Sequence, residues 1–545
     1  MKSNRLITAV FLIFFLNGNA FTEENLILSM KCVGDNSFYP LHLKFDPAKK
    51  EYAMMTDYSV FSVYFITETS KTAQLTINSI VSDKNTNGPY YLKFGKNSFN
   101  VTAGQITGKK KQTYSIFIHR LPTGPVPTIF IDADKEIPDD PKILACMNTY
   151  TNYMWGSGEP GNSLLCGGYK IGIEIRGNSS QINDQNLKIP KGQYSVKLLD
   201  KKNNDVDARI LGMPLDSEWV LYGPYTDKTL IRNFLAYELA REIGMYAPRT
   251  IFAELYLDQT KDSITTNDYF GLFLMIERIK PSPYKVNIHT MNPYTDTLPG
   301  LEGGYIFKKD KPDEDMLVFS AYSKTEWMLV YPKPKKATPV QVKWITKYVY
   351  KFEEALFQKN FDPVNGYAKY LDVSKFIDLM ILNMLSKNAD SYIFSTYYYK
   401  DKFGKIVAGP PWDYDLAWGN INYYNCYDPK GWWVPYRLFP SKLLDDPSFV
   451  KAVIARWFEL RKTVLNWKNI ALIIDNISIY LDEAQKRNFQ KWQILGTYVW
   501  PNPKPLPITY DEEIMKIKEW ILTRLIWIDE NIKNIGNLPP ENLKK

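Results

Sequence analysis

The spacing of apolar residues changes once along this chain of 545 residues, and that change limits the folds it can adopt. Before about residue 320, polar and apolar residues alternate with the period of β-strands, for example in segments 62–66 and 115–118. Beyond it, apolar residues recur with the period of helices. This order predicts an α+β protein, and a chain of this length predicts two or three domains because it exceeds one hydrophobic core.

Turn residues and prolines divide the β-rich half further. Between residues 21 and 120, short strand-like segments separated by turns such as Asp46-Pro47 predict a small all-β sandwich. A proline-rich segment after it predicts a stiff linker. The predicted domains are therefore a sandwich over 21–120, a linker over 121–127, a β-rich lobe over 128–320 and a helical lobe over 321–545.

Capping residues predict where the helices begin and end. Ser, Thr and Asp favour the N-cap, Pro favours the first helical position, and Gly favours the position after the last turn. These signals predict a helix from Thr226 or Asp227 to Ile243, one from Thr338-Pro339 to Phe357, one opening at Ser374, and two over 449–465 and 512–535.

The first twenty residues have the composition of a secretory signal peptide, predicted over 1–20. Lys2 and Arg5 precede an apolar stretch over 6–16, and the small residue Ala20 follows it. The stretch is too short for a membrane span, and no later segment is long and apolar enough for one. We therefore expect a secreted or lumenal protein without a transmembrane segment.

That compartment permits disulfides, and the chain contains Cys32, Cys146, Cys166 and Cys426. A bridge between Cys146 and Cys166 would close a glycine-rich loop, but four cysteines allow three pairings. Patterns for N-glycosylation begin at Asn100, Asn178 and Asn476.

Composition excludes some functions. The chain has only three histidines, His42, His119 and His289, so a Ser-His-Asp triad or a histidine-rich zinc site is not expected. Carboxylate and lysine chemistry is favoured by elimination. The net charge of +8 is spread along the chain without an arginine-rich arm or zinc-finger spacing, so we expect no nucleic-acid partner.

Two acidic clusters carry the strongest chemical signal, one in segment 387–391 and one in segment 411–420. The second is surrounded by Trp and Tyr, and carboxylates in such surroundings need a cation or hydrogen-bond donors. Mg²⁺ binds one or two carboxylates and completes its shell with phosphate oxygens. Phosphoryl transfer needs one Asp near the attacking hydroxyl and another at the metal. Asp390, Asp413 and Asp415 are therefore candidate site residues.

An ATP site also needs a lysine that holds phosphates and an acidic residue that orients it. Lys197 lies in the strand pattern 194–198, and Glu238 lies on the helix of the β-rich half. Segment 176–180 is a strand that ends in a turn, whose amides and hydroxyls suit a phosphate. A lone lysine in a strand is more often a solvated side chain, so the order of the parts carries the argument.

Taken in order, these motifs resemble the CotH family of atypical protein kinases, and the first hundred residues resemble a cadherin-like β-sandwich module. The stretches that carry the first resemblance are Val126–Ile129, Arg176-Gly177-Asn178-Ser179-Ser180, Tyr194–Leu198, Trp219–Lys228, Arg232-Asn233, Tyr246–Arg249, Tyr269–Ile279, Gly303–Lys308, Lys387–Asp390 and Trp412–Ala417. Those that carry the second are Phe45-Asp46-Pro47, Glu51-Tyr52, Gly95-Lys96-Asn97 and Thr113–Ile116 with Arg120.

The resemblance implies a two-lobed atypical protein-kinase-like domain preceded by a small all-β sandwich. It implies ATP-dependent phosphorylation of secreted or cell-surface proteins, mainly on Ser, with Mg²⁺ or Mn²⁺. Lys197 would contact the α- and β-phosphates, Asp390 the hydroxyl or a metal, Asp413 the principal metal and Asp415 a second metal or the surrounding structure. Glu277 falls where the hinge between the lobes would be. The sandwich would contact partner proteins or a cell wall.

One departure from the family pattern leaves a second function open. Where relatives carry an asparagine after the first Asp, this chain has Ser395 and Thr396, and a hydroxyl is a poorer Mg²⁺ ligand than an amide carbonyl. A catalytically inactive surface or scaffold protein is therefore the alternative. A glycosyltransferase using segment 413–415 as a DxD motif ranks third, because helices rather than parallel strands are predicted before it.

Structural roles are also open for several residues. Asp390 is a candidate helix cap after Asn388, and the other two aspartates are candidates for buried ion pairs. Arg232 and Arg249 suit interlobe ion pairs or phosphate clamps. The aromatic pair at 432–433 suits the core better than a sugar-stacking surface.

Overall fold

A computed structural model describes residues 25–537 except for the segments 35–42, 44, 57–59, 61, 83–84, 94, 121–124, 151–167, 178–188, 261–263, 312–315 and 434–438. The predicted signal peptide and most of the predicted linker lie outside the described residues. Two compact units divide the chain, one within residues 1–119 and one from Arg120 to the end, which also takes in 56–61 and 93–95.

The regular elements in the described part of the first unit are all strands, as the alternating pattern predicts. Along the strand Lys111–Arg120, Tyr114, Ile116 and Ile118 are fully buried, while the residues between them are partly exposed. The two sheets have the orders β1-β3-β6 and β2-β8-β7-β4-β5. The strands are β1 (Ile27–Gly34), β2 (Glu51–Thr56), β3 (Ser62–Thr69), β4 (Ala73–Ile77), β5 (Ile80–Ser82), β6 (Thr86–Tyr91), β7 (Gly95–Gln105) and β8 (Lys111–Arg120). The all-β prediction for this region is confirmed.

Seven strands of the second unit close into a barrel in the order β10-β11-β12-β13-β15-β14-β9. Only β9 and β14 pair in parallel, and all other neighbours are antiparallel. Val196, Leu198 and Trp219 point into its apolar core. The strands are β9 (Thr128–Asp132), β10 (Ile143–Tyr150), β11 (Tyr169–Ile175), β12 (Tyr194–Leu199), β13 (Glu218–Tyr222), β14 (Thr250–Asp258) and β15 (Tyr269–Glu277).

A further sheet joins strands from both sides of residue 320, where the sequence pattern predicts the change from strand to helix. Its order is β17-β18-β16-β19-β20, so strands that follow a long helix return to pair with β16. The sequence pattern therefore misses the strands beyond residue 320, which are short. The strands are β16 (Tyr305–Lys309), β17 (Leu317–Ser320), β18 (Glu326–Tyr331), β19 (Thr396–Lys400) and β20 (Ile406–Ala408).

Eight α-helices are described, of which α1 lies between β13 and β14 along the chain and the other seven follow the barrel strands. They are α1 (Arg232–Ile243), α2 (Pro339–Phe357), α3 (Val373–Ser386), α4 (Phe439–Leu443), α5 (Pro447–Lys462), α6 (Trp467–Tyr480), α7 (Asp482–Lys491) and α8 (Tyr510–Asn531). Short 3₁₀ helices span Thr266–Asp268, Gly300–Glu302, Pro334–Lys336, Tyr367–Lys369 and Ile532–Asn537. The α+β prediction is confirmed.

Local capping decides which helix boundaries the sequence predicts correctly. Thr338 and Gln341 form a capping box at the start of α2, as predicted. Gly244 ends α1 with a φ of 103°, a conformation that glycine adopts without strain. The predicted start of α1 is wrong, because Leu230 has a φ of 66° and interrupts the helical backbone. Asp227 nonetheless accepts a hydrogen bond from the Arg232 amide at 2.9 Å and so caps the helix from five residues upstream.

The cysteines divide into free and bridged ones. Cys32 and Cys426 are free and buried, whereas Cys146 is disulfide-bonded. The remaining cysteine in the sequence, Cys166, lies outside the described residues. Pairings that use Cys32 or Cys426 are therefore wrong.

Replacing Arg524 with methionine is expected to lower the free energy of unfolding by about 3 kcal/mol, because buried carbonyls would lose charged donors. Arg524 is fully buried on α8 and donates to the Met384, Pro429 and Gly431 carbonyls at 2.6–3.0 Å. Urea denaturation measures the loss. The control is Arg461→Met, which breaks a partly exposed pair with Asp529 and is expected to cost about 1 kcal/mol. Equal losses in the two variants would contradict this account.

Candidate active site

An open cavity of about 220 Å³ lies where the barrel meets the loops that follow α3 and β20. Four basic and four acidic side chains line it: Arg176, Lys191, Lys308, Lys311, Asp310, Asp390, Asp413 and Asp415. All three aspartates predicted from the acidic clusters are among them, as is Arg176. The aromatic residues Tyr222, Tyr397, Trp412, Tyr423 and Trp500 complete much of the wall.

Asp413 is held in a left-handed backbone conformation, with a φ of 65°. Such a conformation is costly for a residue other than glycine, so it persists where surrounding contacts fix it. The Asp413 amide donates to the Tyr237 hydroxyl at 3.2 Å, and the Asn388 side chain donates to the Asp413 carbonyl at 3.3 Å. Its carboxylate accepts a hydrogen bond from the Ser395 hydroxyl at 3.2 Å. The backbone is therefore fixed from two sides while the carboxylate faces the cavity.

Helix α1 supplies Tyr237 and, from the same face, a second anchor for the next residue along the chain. Asn233 and Tyr237 are four residues apart, so their side chains lie one above the other on the helix. The Tyr414 amide donates to the Asn233 side chain at 2.6 Å, one residue after the amide held by Tyr237. The position of α1 therefore sets the position of the Asp413 backbone.

Nearby positive charge compensates the three predicted carboxylates only in part. Burial raises the pKa of Asp390 to about 7, and the charge of Asp413 adds to the effect. Burial also raises the pKa of Asp413, although the Arg176 charge opposes it. Burial raises the pKa of Asp415 well above its ordinary value, and the charges of Asp413 and Asp390 add to the effect. Among the described residues, none forms an ion pair with any of the three.

Arg176, at the end of β11, brings positive charge beside this group. Its guanidinium lies 5.8 Å from the centre of the Trp412 ring and donates to the Gln193 side chain at 3.3 Å. Burial and the nearby Arg278 lower its pKa, and Asp413 raises it. The rest of the predicted phosphate loop, Asn178, Ser179 and Ser180, lies outside the described residues and stays a prediction.

The cavity also contains a lysine that the sequence pattern does not single out. Lys191 is 1 % exposed, and its ammonium donates to the Leu272 carbonyl at 2.7 Å and the Asn488 side chain at 2.8 Å. Burial lowers its pKa well below the ordinary value. A cation surrounded by neutral oxygens at the wall of a cavity suits an anionic ligand. Lys191 precedes its strand by three residues, so a search for a lysine within a strand overlooks it.

Lys197, the lysine singled out from the sequence, lies elsewhere. It points away from the barrel core and pairs with Asp205 at 2.8 Å and with Glu218, its cross-strand neighbour, at 3.5 Å. It is not among the residues that line the cavity. The pairing of Lys197 with Glu238 is therefore wrong. Lone strand lysines of this kind are usually solvated and paired on the surface.

Glu238 has different partners. The Arg120 guanidinium donates to both of its oxygens, at 2.9 and 3.1 Å, and Arg241 donates at 2.6 Å. Burial raises the pKa of Glu238, but the charges of Arg120 and Arg241 outweigh that effect and lower it to about 2. Glu238 does not line the cavity, so its connection to the site runs through helix α1.

Because the folded pKa of Glu238 is below its ordinary value of 4.5, its stabilisation is present above pH 4.5 and is lost as the pH falls toward 2. The shift corresponds to about 3 kcal/mol. Glu238→Gln is expected to lose roughly that stability at pH 7 and to show a weaker dependence of unfolding free energy on pH between 4.5 and 2. Denaturant titrations of both proteins across that range measure it. Identical pH dependence in the two proteins would refute it.

The remaining predicted residues have structural partners. Glu277 is 1 % exposed and accepts hydrogen bonds from Arg249, at 2.9 Å from the amide and 3.1 Å from the guanidinium. Arg232 pairs with Asp227 at 2.5 Å. Both arginines therefore form ion pairs, but these pairs lie within the predicted β-rich lobe, so the interlobe prediction is wrong for both. Neither arginine nor Glu277 lines the cavity. The tryptophans at 432–433 are 8 % exposed and belong to the core.

The two hydroxyl residues in place of an asparagine differ in position. Thr396 is buried, and its hydroxyl links the Tyr392 amide to the Phe394 carbonyl. Ser395 lines the cavity and bonds Asp413. Ser395 therefore stands beside the candidate metal ligand. Asp390 caps no helix among the described residues, because no described amide donates to its carboxylate.

The donor set suits a divalent cation that arrives with a phosphate ligand. Within the described ranges, no three carboxylate, imidazole or thiol groups lie together as a ready-made metal site. Mg²⁺ needs only one or two carboxylates when phosphate oxygens supply other positions. Asp413 and Asp415 provide two half-buried carboxylates whose pKa values are raised by burial. These residues fit Mg²⁺ or Mn²⁺ bound together with a nucleotide.

Comparison with known protein families gives two matches. A family model described as CotH kinase protein matches residues 173–528, and one described as cadherin-like beta sandwich domain matches residues 28–121. No curated protein matches the chain. Both resemblances drawn from the sequence are confirmed. No helix in the described part of the chain has the length and apolar composition of a membrane span.

Proposed function

Because this chain belongs to the CotH kinase family, we propose that it is an ATP-dependent protein kinase that phosphorylates hydroxyl groups of secreted or cell-surface proteins. The observation that carries the proposal is the meeting of Asp390, Asp413, Arg176 and Lys191 at one cavity. Phosphoryl transfer needs positioning and charge stabilisation more than covalent chemistry, and these four groups supply both. The predicted signal peptide supports substrates in the secretory pathway.

Each residue has a role that follows from its surroundings. Lys191 and Arg176 bind the phosphates, since both are cationic side chains of the cavity wall. Asp413, with Asp415, would hold Mg²⁺ or Mn²⁺, which supplies neutralisation of charge on the phosphate oxygens. Asp390 accepts the proton of the attacking hydroxyl, for which its raised pKa of about 7 is suited. Tyr237 orients Asp413 and does not itself touch the reactants.

A catalytically inactive scaffold is the second candidate, and Ser395 favours it. The Ser395 hydroxyl bonds the Asp413 carboxylate in the place where an asparagine would offer a metal a stronger ligand. The glycosyltransferase alternative loses support, because the strands that precede segment 413–415 pair antiparallel. A parallel sheet before the motif would be needed for it.

The test is transfer of γ-labelled phosphate from ATP, with Mg²⁺ or Mn²⁺, to the protein itself and to an acidic acceptor protein. ADP release is followed in the same samples, because it reports cleavage of ATP when the acceptor is poor. We expect labelled acceptor or released ADP from the wild type, and a large reduction of both with Asp390→Asn. Neither label nor ADP from a folded wild-type protein would favour the scaffold.

A further inference from the structure

Glu238 connects helix α1 to a residue outside the matched kinase region. Arg120 is the last residue of β8 and belongs to the same compact unit as α1. Its guanidinium forms two parallel hydrogen bonds with the Glu238 carboxylate, and both side chains are 1 % exposed. Two-bond contacts of this kind fix direction as well as distance. Arg120 therefore fixes the orientation of Glu238 in a buried setting.

The neighbouring face of α1 holds the loop after β20 that contains Asp413 and Tyr414, the Asp413 loop. Tyr237 directly precedes Glu238, and the Tyr237 hydroxyl accepts a hydrogen bond from the Asp413 amide. The Asn233 side chain accepts one from the Tyr414 amide at 2.6 Å. Asp413 needs such support because its φ is 65°. A change in the tilt or rotation of α1 would move both acceptors together. The contacts thus form a continuous path from Arg120 through α1 to Asp413.

Arg241 cannot replace Arg120 in this arrangement. One guanidinium nitrogen of Arg241 donates to a single Glu238 oxygen at 2.6 Å, and the other donates to the Pro248 carbonyl at 2.7 Å. Without Arg120, the other Glu238 oxygen loses its 2.9 Å donor. A buried carboxylate oxygen without a hydrogen-bond donor is costly. We therefore expect α1 to shift until this oxygen finds another donor.

We propose that Arg120 is a positioning residue that acts through Glu238 and α1 to hold the Asp413 loop in its working conformation. It lies outside residues 173–528, so the candidate active site depends on a side chain that precedes the kinase region. The catalytic part of this inference rests on the proposed kinase function. The structural part, that Arg120 holds the loop, stands without it.

The test compares Arg120→Met with Arg487→Met in the full chain. Arg487, on α7, also forms a two-bond pair with a glutamate, Glu254 of β14, at 2.8 and 2.7 Å. Hydrogen–deuterium exchange is measured for the peptide that contains the Asp413 and Tyr414 amides, without nucleotide. We expect Arg120→Met to speed this exchange about tenfold and Arg487→Met to leave it unchanged, although both lower the melting temperature.

Kinetics give the second readout. Arg120→Met is expected to lower kcat about tenfold and to raise KM for ATP, because the Asp413 loop that would hold the metal moves. Arg120→Lys keeps the charge but cannot form both bonds, so its exchange and kcat should be intermediate. This variant also carries the test if Arg120→Met does not fold.

Unchanged exchange in both Arg120 variants, or equal acceleration in Arg487→Met, would overturn the proposal. A wild type that transfers no phosphate would refute the kinase function alone. In that case faster exchange in Arg120→Met would still establish that Arg120 holds the loop.

Discussion

Asp413→Asn is expected to lower phosphate transfer by about a thousandfold, because it removes the charge that would hold the metal at the phosphates. Asparagine has the same shape and still accepts the 3.2 Å bond from Ser395. It also removes the repulsion with Asp415 and Asp390, both of which have raised pKa values. The melting temperature of the variant should therefore equal or exceed that of the wild type.

Label transfer and thermal unfolding on the same preparations measure the two effects. The matched control is Asp401→Asn, whose carboxylate bonds His289 outside the cavity at 2.9 Å. This control should retain full transfer. Wild-type transfer by Asp413→Asn would show that the carboxylate is structural, whereas lost transfer with a lowered melting temperature would point to misfolding.

Lys191→Met is expected to weaken ATP binding about a hundredfold, and Lys197→Met by less than about threefold. Lys191 is buried among neutral hydrogen-bond partners and burial lowers its pKa, so a phosphate would stabilise its charged form. The Lys197 charge is already balanced by Asp205 and Glu218 on the surface. Asn488 keeps the 3.1 Å bond from the Leu272 amide in the Lys191 variant, so the fold should persist.

Calorimetric titration with ATP and Mn²⁺ gives both affinities. The two variants remove the same group from lysines six positions apart, so each is the other's control. A large loss in Lys197→Met with none in Lys191→Met would restore the role that the sequence alone suggests for Lys197.

Features set by neighbouring residues are the ones that the sequence predicts well. Helix α2 begins at its predicted residue because Thr338 and Gln341 cap it locally. The aspartates of the two acidic clusters meet at one cavity because each motif is short and borders a helix or strand that carries it there. The aromatic residues near these aspartates in the sequence predict the burial that raises the pKa values of Asp390 and Asp415.

Features set by distant contacts are missed. Glu238 has a partner 118 positions away, at Arg120, and no local pattern relates the two residues. Lys191 differs from other lysines by its burial, which depends on Asn488, 297 positions later. The closure of the barrel through the parallel pair β9–β14 likewise depends on long-range pairing. The family resemblance supplies the kind of site but assigns the phosphate-binding role to Lys197, away from the cavity.

The most direct test of the central claim is binding of ATP with Mn²⁺ or Mg²⁺ to the intact wild-type protein, because it needs no knowledge of the acceptor. We expect one metal-dependent site that is lost on chelation, weakened in Lys191→Met and abolished in Asp413→Asn. ATP binding that is absent, or that is unchanged by both substitutions, would contradict the assignment of this cavity as the phosphotransfer site.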